Sequence, residues 1–163
     1  MKLNNLKDLL LHELQDVYSA ENQITKALPK MIKATSSDKL KQAFETHLQE
    51  TEQQIQRLEK VFELMGEKVK GEKCKAMEGI IKEAESMMSE KADKSVMDAA
   101  LIGSAQRVEH YEIAAYGTLC TYAKQLGMND VLEQLLMTLE EEKKTDALLT
   151  KIAEKTVNIQ AEK

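Results

Sequence analysis

The stretch that decides the fold is residues 102–119, which read IGSAQRVEHYEIAAYGTL. Six of its residues recur at alternating steps of three and four, so they fall on one face of a helix: Ile102, Ala105, Glu109, Glu112, Tyr116 and Leu119. No lysine occurs between residues 95 and 123, which makes this the most apolar of the long segments. Two acids one turn apart on the core-facing stripe of such a helix indicate a buried polar site.

The whole chain is rich in helix-forming residues. Its apolar residues are mostly Leu, Ala, Ile and Met, and Glu, Gln and Lys lie between them. Residues that favour strands are sparse, and aromatic residues make up only 4% of the chain. A length of 163 residues suits one domain with a core of its own. We therefore predict an all-α fold and a single domain over residues 1–163.

Four long segments show helical periodicity. We place these helices at about residues 5–35, 38–65, 95–127 and 129–157. Ser36, Ser37 and Asp38 supply N-capping side chains for the second helix, and Gly66 ends it. Pro29 lies late in the first helix, where it predicts a bend or a weakened turn.

The connections between these helices predict the topology. The first two helices are joined by two or three residues, and so are the last two, which makes each pair an antiparallel hairpin. The middle connection, residues 66–94, is long enough to run the length of a bundle and has a short helical pattern around Ile80 and Ile81. Two hairpins joined by one long crossover are typical of ferritin-like bundles. We therefore predict a ferritin-like four-helix bundle with a short fifth helix in the crossover.

Ligand-type side chains interrupt the apolar stripes of the other three long helices as well. They are Glu21 in the first, His47 and Glu50 in the second, and Glu142 and Asp146 in the fourth. Counted from the two hairpin turns at about 1.5 Å per residue, these groups and the pair in the third helix fall near one level. The pattern therefore predicts a polar layer in the middle of the bundle.

Several like charges in such a layer repel one another and are costly to desolvate. Few basic residues are placed to compensate them, since Lys143 is merely adjacent to the layer and Arg107 points elsewhere. Two divalent metal ions would compensate about four carboxylates. The alternative is an acidic seam whose carboxylates reach water or bind protons and hold no metal.

Five stretches carry a resemblance to a known family. They read SAENQ at 19–23, HLQET at 47–51, CKAMEG at 74–79, VEHYEIA at 108–114 and TLEEEKKTD at 138–146. Together they resemble the YciF-type ferritin-like stress proteins, and the similarity covers essentially the whole chain. More distantly, the chain is similar to rubrerythrins, in which AE-x-Q and E-x-x-E elements carry metal ligands. The resemblance implies a carboxylate site of the di-iron type, homodimerisation and a bacterial stress-response setting.

By position, the resemblance implies five glutamate ligands: Glu21, Glu50, Glu109, Glu112 and Glu142. Ferritin-like sites usually add Glu-x-x-His pairs on two helices, but here no histidine follows Glu50 or Glu142 at that spacing. His47 and Asp146 lie one turn from those glutamates on the same face, so each is a candidate ligand or a neighbour that orients a ligand. We expect two divalent ions in this oxygen-rich site, with iron as the first candidate and manganese as the second.

Two further side chains lie near the predicted site. His110 points about 100° from Glu109, which favours a role beside the ligands or at an interface. Tyr116, one turn beyond Glu112, is the tyrosine best placed for a redox role, although such a ring more often packs in the core and bonds through its hydroxyl.

Three hypotheses for function follow. The first is an oxidoreductase in which two ferrous ions reduce peroxide or oxygen. The sequence has no nucleophile with a base partner, no Gly-rich phosphate loop and no CxxC pair, so electrons would come from elsewhere. The second is a non-catalytic metal-binding or iron-handling protein. The third is a structural or interaction module without metal.

Charge and hydropathy disfavour several partners. The formal net charge is −5, which disfavours binding of nucleic acid phosphates. No apolar run approaches the roughly 20 residues of a membrane span, and the first ten residues lack the pattern of a signal peptide. Cys74 and Cys120 form no disulfide framework and are expected to be reduced thiols. We therefore expect a cytoplasmic protein that binds neither nucleic acid nor membrane.

Overall fold

The computed structural model describes residues 2–163, which form a bundle of helices. In chain order the elements are α1 (Leu6–Ala34), α2 (Asp38–Met65), α3 (Lys75–Ser89), α4 (Lys94–Gln125), α5 (Asn129–Ile152), a turn of π-helix (Ala153–Val157) and α6 (Asn158–Ala161). Residues 2–163 contain no strand, and none of these helices combines the length and apolarity that crossing a membrane requires. The predicted all-α, ferritin-like four-helix bundle is confirmed, with α1, α2, α4 and α5 as its long helices.

Capping groups set the ends of the long helices. Asn5 and Ser37 cap α1 and α2, and each side chain accepts a hydrogen bond from the backbone N–H three residues later. Gly66 (φ 72°) ends α2 and Gly127 (φ 69°) follows α4, both in the left-handed region that glycine adopts without steric cost. The α1 helix continues through Pro29 to Ala34.

The turn between α1 and α2 is held by a side chain from α4. Asp98 is buried and accepts hydrogen bonds from the backbone N–H groups of Ser36 (2.8 Å) and Ser37 (2.9 Å). It also accepts one from the Ser36 hydroxyl. The carboxylate therefore satisfies donors at the start of α2 and fixes that hairpin against the second one.

The crossover runs back along α1. The backbone N–H of Glu72 donates to the Gln15 carbonyl oxygen (3.0 Å), and that of Cys74 donates to the Ser19 hydroxyl (3.1 Å). Helix α3 then packs against α1 and α4, with Met77 buried on its inner face. The predicted fifth helix is therefore present and covers one side of the bundle.

The core consists of two apolar clusters with a polar layer between them. The cluster near the α1–α2 turn includes Ile24, Leu28, Leu40, Phe44, Leu101 and Leu149. The cluster at the opposite end includes Leu10, Leu14, Leu58, Phe62, Leu119 and Leu135. On each long helix, one or more buried polar residues lie between these two sets: Glu21, His47, Thr51, Gln54, Glu109, Glu112, Glu142 and Thr145.

The last long helix, predicted to reach about residue 157, ends as α5 at Ile152 and continues as a different type of helix. A π-helical turn follows α5, in which the N–H of Asn158 donates to the carbonyl of Ala153. Ile152 and Val157, five residues apart, are both buried. A regular α-helix would turn residues at that spacing toward different faces, whereas the wider turn keeps both on the core side.

Candidate metal centre

Four of the predicted site residues meet in the polar layer. His47 from α2, Glu109 and Glu112 from α4, and Glu142 from α5 each offer one ligand atom, and these four atoms lie within 4.8 Å of one another. All four side chains are buried, with no more than 3% of their surface exposed. The structure therefore brings together residues from three helices, each of which lies on the inward stripe of its helix.

Glu21 extends this group from α1. Its side chain is fully buried, and its carboxyl group is close enough to interact with those of Glu112 and Glu142. The Tyr116 hydroxyl donates a hydrogen bond to Glu21 Oε1. With Glu21 included, all four long helices contribute a side chain to the candidate centre.

Glu50, which was also predicted as a ligand, lies outside the group of four. Its half-buried side chain lines a groove between α2 and α5, where Lys144 and Glu141 are its charged neighbours. Thr51, the next residue, takes the buried position on α2. The structure thus turns Thr51 inward and Glu50 toward the groove.

Asp146 also lies outside the group of four. Its half-buried carboxylate accepts a hydrogen bond from Gln106 Nε2 (3.0 Å) and lies 3.3 Å from His110 Nε2. Thr145 takes the buried position on α5. His110 is mostly exposed, so it contacts the predicted ligand Asp146 at the edge of the layer.

Most oxygens of the four buried glutamates in this layer have neither a hydrogen-bond donor nor a cation beside them. Among residues 2–163, both oxygens of Glu109 and of Glu112, and one oxygen each of Glu21 and Glu142, have no hydrogen-bond partner. His47 Nε2 lies 3.2 Å from Glu109 Oε1, but neither atom makes a hydrogen bond. Within the described chain, no lysine or arginine forms an ion pair with these glutamates. Such orphaned groups are rare and costly, so they indicate a missing cation or proton.

The surroundings shift the acid–base properties of all these groups. Burial raises the pKa of Glu21 to about 8, with a further contribution from the charge of Glu142. Burial also raises the pKa of Glu142 to about 7 and the pKa values of Glu109 and Glu112 well above their usual range. Burial lowers the pKa of His47 to about 4. Without metal the glutamates therefore hold protons near neutral pH, and a metal would displace those protons.

A hydrogen-bond network of neighbouring side chains fixes the position of Glu142. Gln54 Nε2 donates to Glu142 Oε1 and to Glu141 Oε2 (3.0 Å). The Arg57 guanidinium donates to both oxygens of Glu141 (2.9 and 3.0 Å) and to the Thr138 hydroxyl (2.6 Å). Sequence reasoning missed this network, although Gln54 continues the inward stripe of α2 by a step of three after Thr51.

The chemistry of the buried donor set fits a metal ion. Four glutamates carry four negative charges when they are ionised, and two dications would balance them. A set of carboxylates with one imidazole suits iron or manganese better than soft metals that prefer thiolates. The orphaned oxygens supply lone pairs that point to no other partner.

Sequence relatives support this reading of the fold. Residues 5–162 match the family described as "Domain of unknown function (DUF892)". The chain is 50% identical over 163 residues to Protein YciF of Escherichia coli (strain K12). The aligned region covers 99% of this chain and 98% of that relative.

Solved structures agree with these relatives. The crystal structure of the E. coli stress protein YciF has a TM-score of 0.91 and 51% identity, covering 95% of this chain and 98% of that chain. YcfI of Rhodopseudomonas palustris has a TM-score of 0.90 and 49% identity, covering 91% of this chain and 95% of that chain. A Xanthomonas campestris protein shares the fold, with a TM-score of 0.77 at 23% identity. The chain therefore belongs to the DUF892 family, among the YciF-type ferritin-like proteins that its sequence resembles.

Proposed function

We propose that this chain is a di-metal carboxylate protein that reduces peroxide or oxygen at a di-iron centre during a stress response. The observation that carries the proposal is the set of buried glutamates whose oxygens lack partners, gathered with a histidine where the four long helices meet. The description of E. coli YciF as a stress protein supports the physiological setting.

The proposed ligands are the four glutamates and the histidine of the polar layer: Glu21, His47, Glu109, Glu112 and Glu142. Two ferrous ions held there would supply electrons to peroxide or oxygen, and manganese suits the same ligands. Tyr116 and Gln54 each donate a hydrogen bond to one oxygen of a glutamate and leave the other oxygen free. These donors would fix the orientation of the ligands before a metal binds.

A small cavity beside the layer offers room for an oxidant. His47 and Glu109 form part of its wall, and the rest is mainly apolar: Ile24, Leu28, Met31, Ile81, Ala84, Met88, Ala105 and Val108. The volume open to the centre of a water-sized sphere in this cavity is about 20 Å³. That volume is enough for one small molecule. Its position beside His47 and Glu109 supports access of a small oxidant to the centre.

Metal content is the first test of the proposal. We expect elemental analysis to find about two iron or manganese ions per chain in the wild type. Glu109→Gln and Glu142→Gln should lose most of this metal, because each removes a ligand charge from the layer. Glu133→Gln, an exposed acid on the same helix as Glu142, serves as the matched control and should keep its metal. A wild-type chain that stays metal-free after incubation with both ions would refute the proposal.

Oxidant consumption is the second test. Ferrous-loaded protein should consume peroxide or oxygen faster than the Glu109→Gln variant at equal iron. An alternative function is a metal-binding bundle without turnover, and the description of YcfI from R. palustris as a candidate structural protein favours it. Metal-loaded protein that consumes neither oxidant would support this alternative.

The resemblance to the YciF-type proteins also leads us to infer a homodimer. Sedimentation equilibrium of the purified chain tests this inference, because a dimer has twice the mass of the 18.4 kDa chain. A monomer over the whole accessible concentration range would refute it.

A further inference from the structure

We infer that a groove between α2 and α5 binds a small organic anion. The groove is open to solvent and has a volume of about 450 Å³, within the size range of small-molecule sites. It lies on the outer side of the two helices, whereas the candidate metal ligands His47 and Glu142 lie on their inner side. This site is distinct from the buried polar layer and does not depend on a metal.

The rim of the groove is positively charged. Lys39, Lys144, Lys151 and Lys155 line it, and Glu50 contributes the one carboxylate among its lining residues. Four positive charges thus face one negative charge, on a chain whose formal net charge is −5. Within residues 2–163, none of the four lysines forms an ion pair. A concave surface with charges of one sign concentrates ligands of the opposite sign, so the rim selects an anion.

The floor of the groove is apolar. Ala43, Leu148 and Ile152 lie in it, and Leu148 leaves 43% of its surface exposed. The hydroxyl-bearing residues Thr46 and Thr156 lie among the lining side chains. An inorganic anion would leave the apolar floor uncovered. The lining therefore fits an anion with an apolar or aromatic body and a phosphate or carboxylate group.

The π-helical turn after α5 supplies part of the wall. Lys155 and Thr156 both lie in this turn and line the groove. The extra residue of a π-turn changes the direction of the side chains that follow it, and such turns are frequent at functional sites. The irregular turn therefore places one lysine and one hydroxyl at the groove.

The location suits a co-substrate of the proposed centre. Residue 46 precedes the candidate ligand His47, and Thr145 lines the groove three residues after Glu142. A bound anion would thus lie beside the α2–α5 seam that covers the polar layer. A role as co-substrate rests on the proposed function, whereas binding of the anion does not.

Binding of 1-naphthyl phosphate tests the inference. This probe joins an aromatic body to an anionic group, and 1-naphthol is its neutral counterpart. We expect a fluorescence titration of the full chain to show one saturable site, at least tenfold weaker affinity for 1-naphthol, and weaker binding at higher salt. A parallel titration in excess chelator should give the same affinity, which separates the groove from direct metal coordination. Lack of saturable binding, or binding that chelator abolishes, would overturn the inference.

Matched variants locate the site. The double variant Lys151→Gln/Lys155→Gln should bind 1-naphthyl phosphate at least tenfold more weakly. The control Lys26→Gln/Lys124→Gln changes the net charge equally at exposed positions outside the groove and should bind like the wild type. Leu148→Asn should also weaken binding, through the apolar floor. Equal effects of both double variants would overturn the inference. A wild-type chain that binds no probe, and that Lys151→Gln/Lys155→Gln converts from a dimer to a monomer, would also overturn it.

Discussion

At two of the buried glutamates, the two oxygens of one carboxylate have different surroundings. Glu21 Oε1 accepts a hydrogen bond from Tyr116, and Glu142 Oε1 accepts one from Gln54. The second oxygen of each has no partner among the described residues. A single fixed oxygen sets the plane of the carboxylate, so the free oxygen has a defined direction before any cation arrives. That arrangement lowers the entropy cost of binding a metal.

The contribution of Tyr116 is testable at the level of one atom. Tyr116→Phe removes the hydroxyl that donates to Glu21 and keeps the buried ring. We expect metal affinity, measured by competition with a chelator, to fall about 10–100-fold. Tyr122→Phe, a half-buried position on the same helix, is the control and should bind metal like the wild type. Unchanged affinity in Tyr116→Phe would mean that the hydrogen bond does not orient Glu21 for a metal.

Substitution of Glu50 distinguishes the candidate metal centre from the groove. Because its side chain lines the groove, we expect Glu50→Gln to keep the wild-type metal content. The same variant should bind 1-naphthyl phosphate more tightly, since it removes the negative charge that faces the four lysines. Elemental analysis and fluorescence titration measure the two effects on one preparation, with Glu109→Gln as the metal-deficient comparison. Loss of metal from Glu50→Gln would instead show that this carboxylate turns inward and acts as a ligand.

Periodicity in the sequence predicts which face of a helix is buried. It predicts less reliably which of two neighbouring polar residues lies on that face. Glu109 and Glu112 could be predicted as inward because apolar residues flank them on both sides of the same stripe. Glu50 and Thr51 follow His47 by three and four residues, and both spacings fit a helix of 3.6 residues per turn. Packing against α5 decides between them, and a single sequence does not contain that information.

At the scale of elements, a polar chain links α2 to α5 beside the candidate centre. It runs from Arg57 through Glu141 and Gln54 to Glu142. The paired hydrogen bonds between the guanidinium and the carboxylate fix geometry as well as charge. The two helices therefore keep one register at the height where the ligands meet. Sequence spacing cannot predict this contact, because its partners are more than 80 residues apart.

Breaking that link should loosen the pair of helices. Arg57→Met leaves the partly buried Glu141 carboxylate without its cation. We expect the free energy of unfolding in urea to fall by about 1–3 kcal/mol. Adding Glu141→Gln should cost little more, because the two residues act through one interaction. Lys60→Met, an exposed position one turn later, should stay within about 0.5 kcal/mol of the wild type. Equal destabilisation by both methionine variants would contradict this role for Arg57.

At the scale of the whole molecule, the two apolar clusters stabilise the bundle while the layer between them opposes folding. Burial raises the pKa values of its glutamates, to about 8 for Glu21 and about 7 for Glu142. A raised pKa in the folded state favours folding at low pH, and this contribution is lost as the pH rises through the folded-state pKa. His47 acts in the opposite sense, because its pKa falls to about 4, but its contribution no longer changes above its ordinary value of 6.5. Between pH 6.5 and 8 the carboxyl groups therefore dominate.

The stability of metal-free protein should consequently depend on pH much more steeply than that of metal-loaded protein. In excess chelator, we expect the free energy of unfolding to fall between pH 6.5 and 8, by up to about 1.4 kcal/mol per pH unit for each titrating carboxyl group. With saturating manganese it should stay nearly constant over the same range, because the metal displaces the protons of the folded chain and the unfolded chain has already lost its own. Urea unfolding at half-unit pH steps measures both slopes, and Glu21→Gln should make the metal-free slope shallower. A metal-free slope that is flat or positive would mean that water or a counter-charge reaches these carboxylates, and the physical case for a buried cation site would fail.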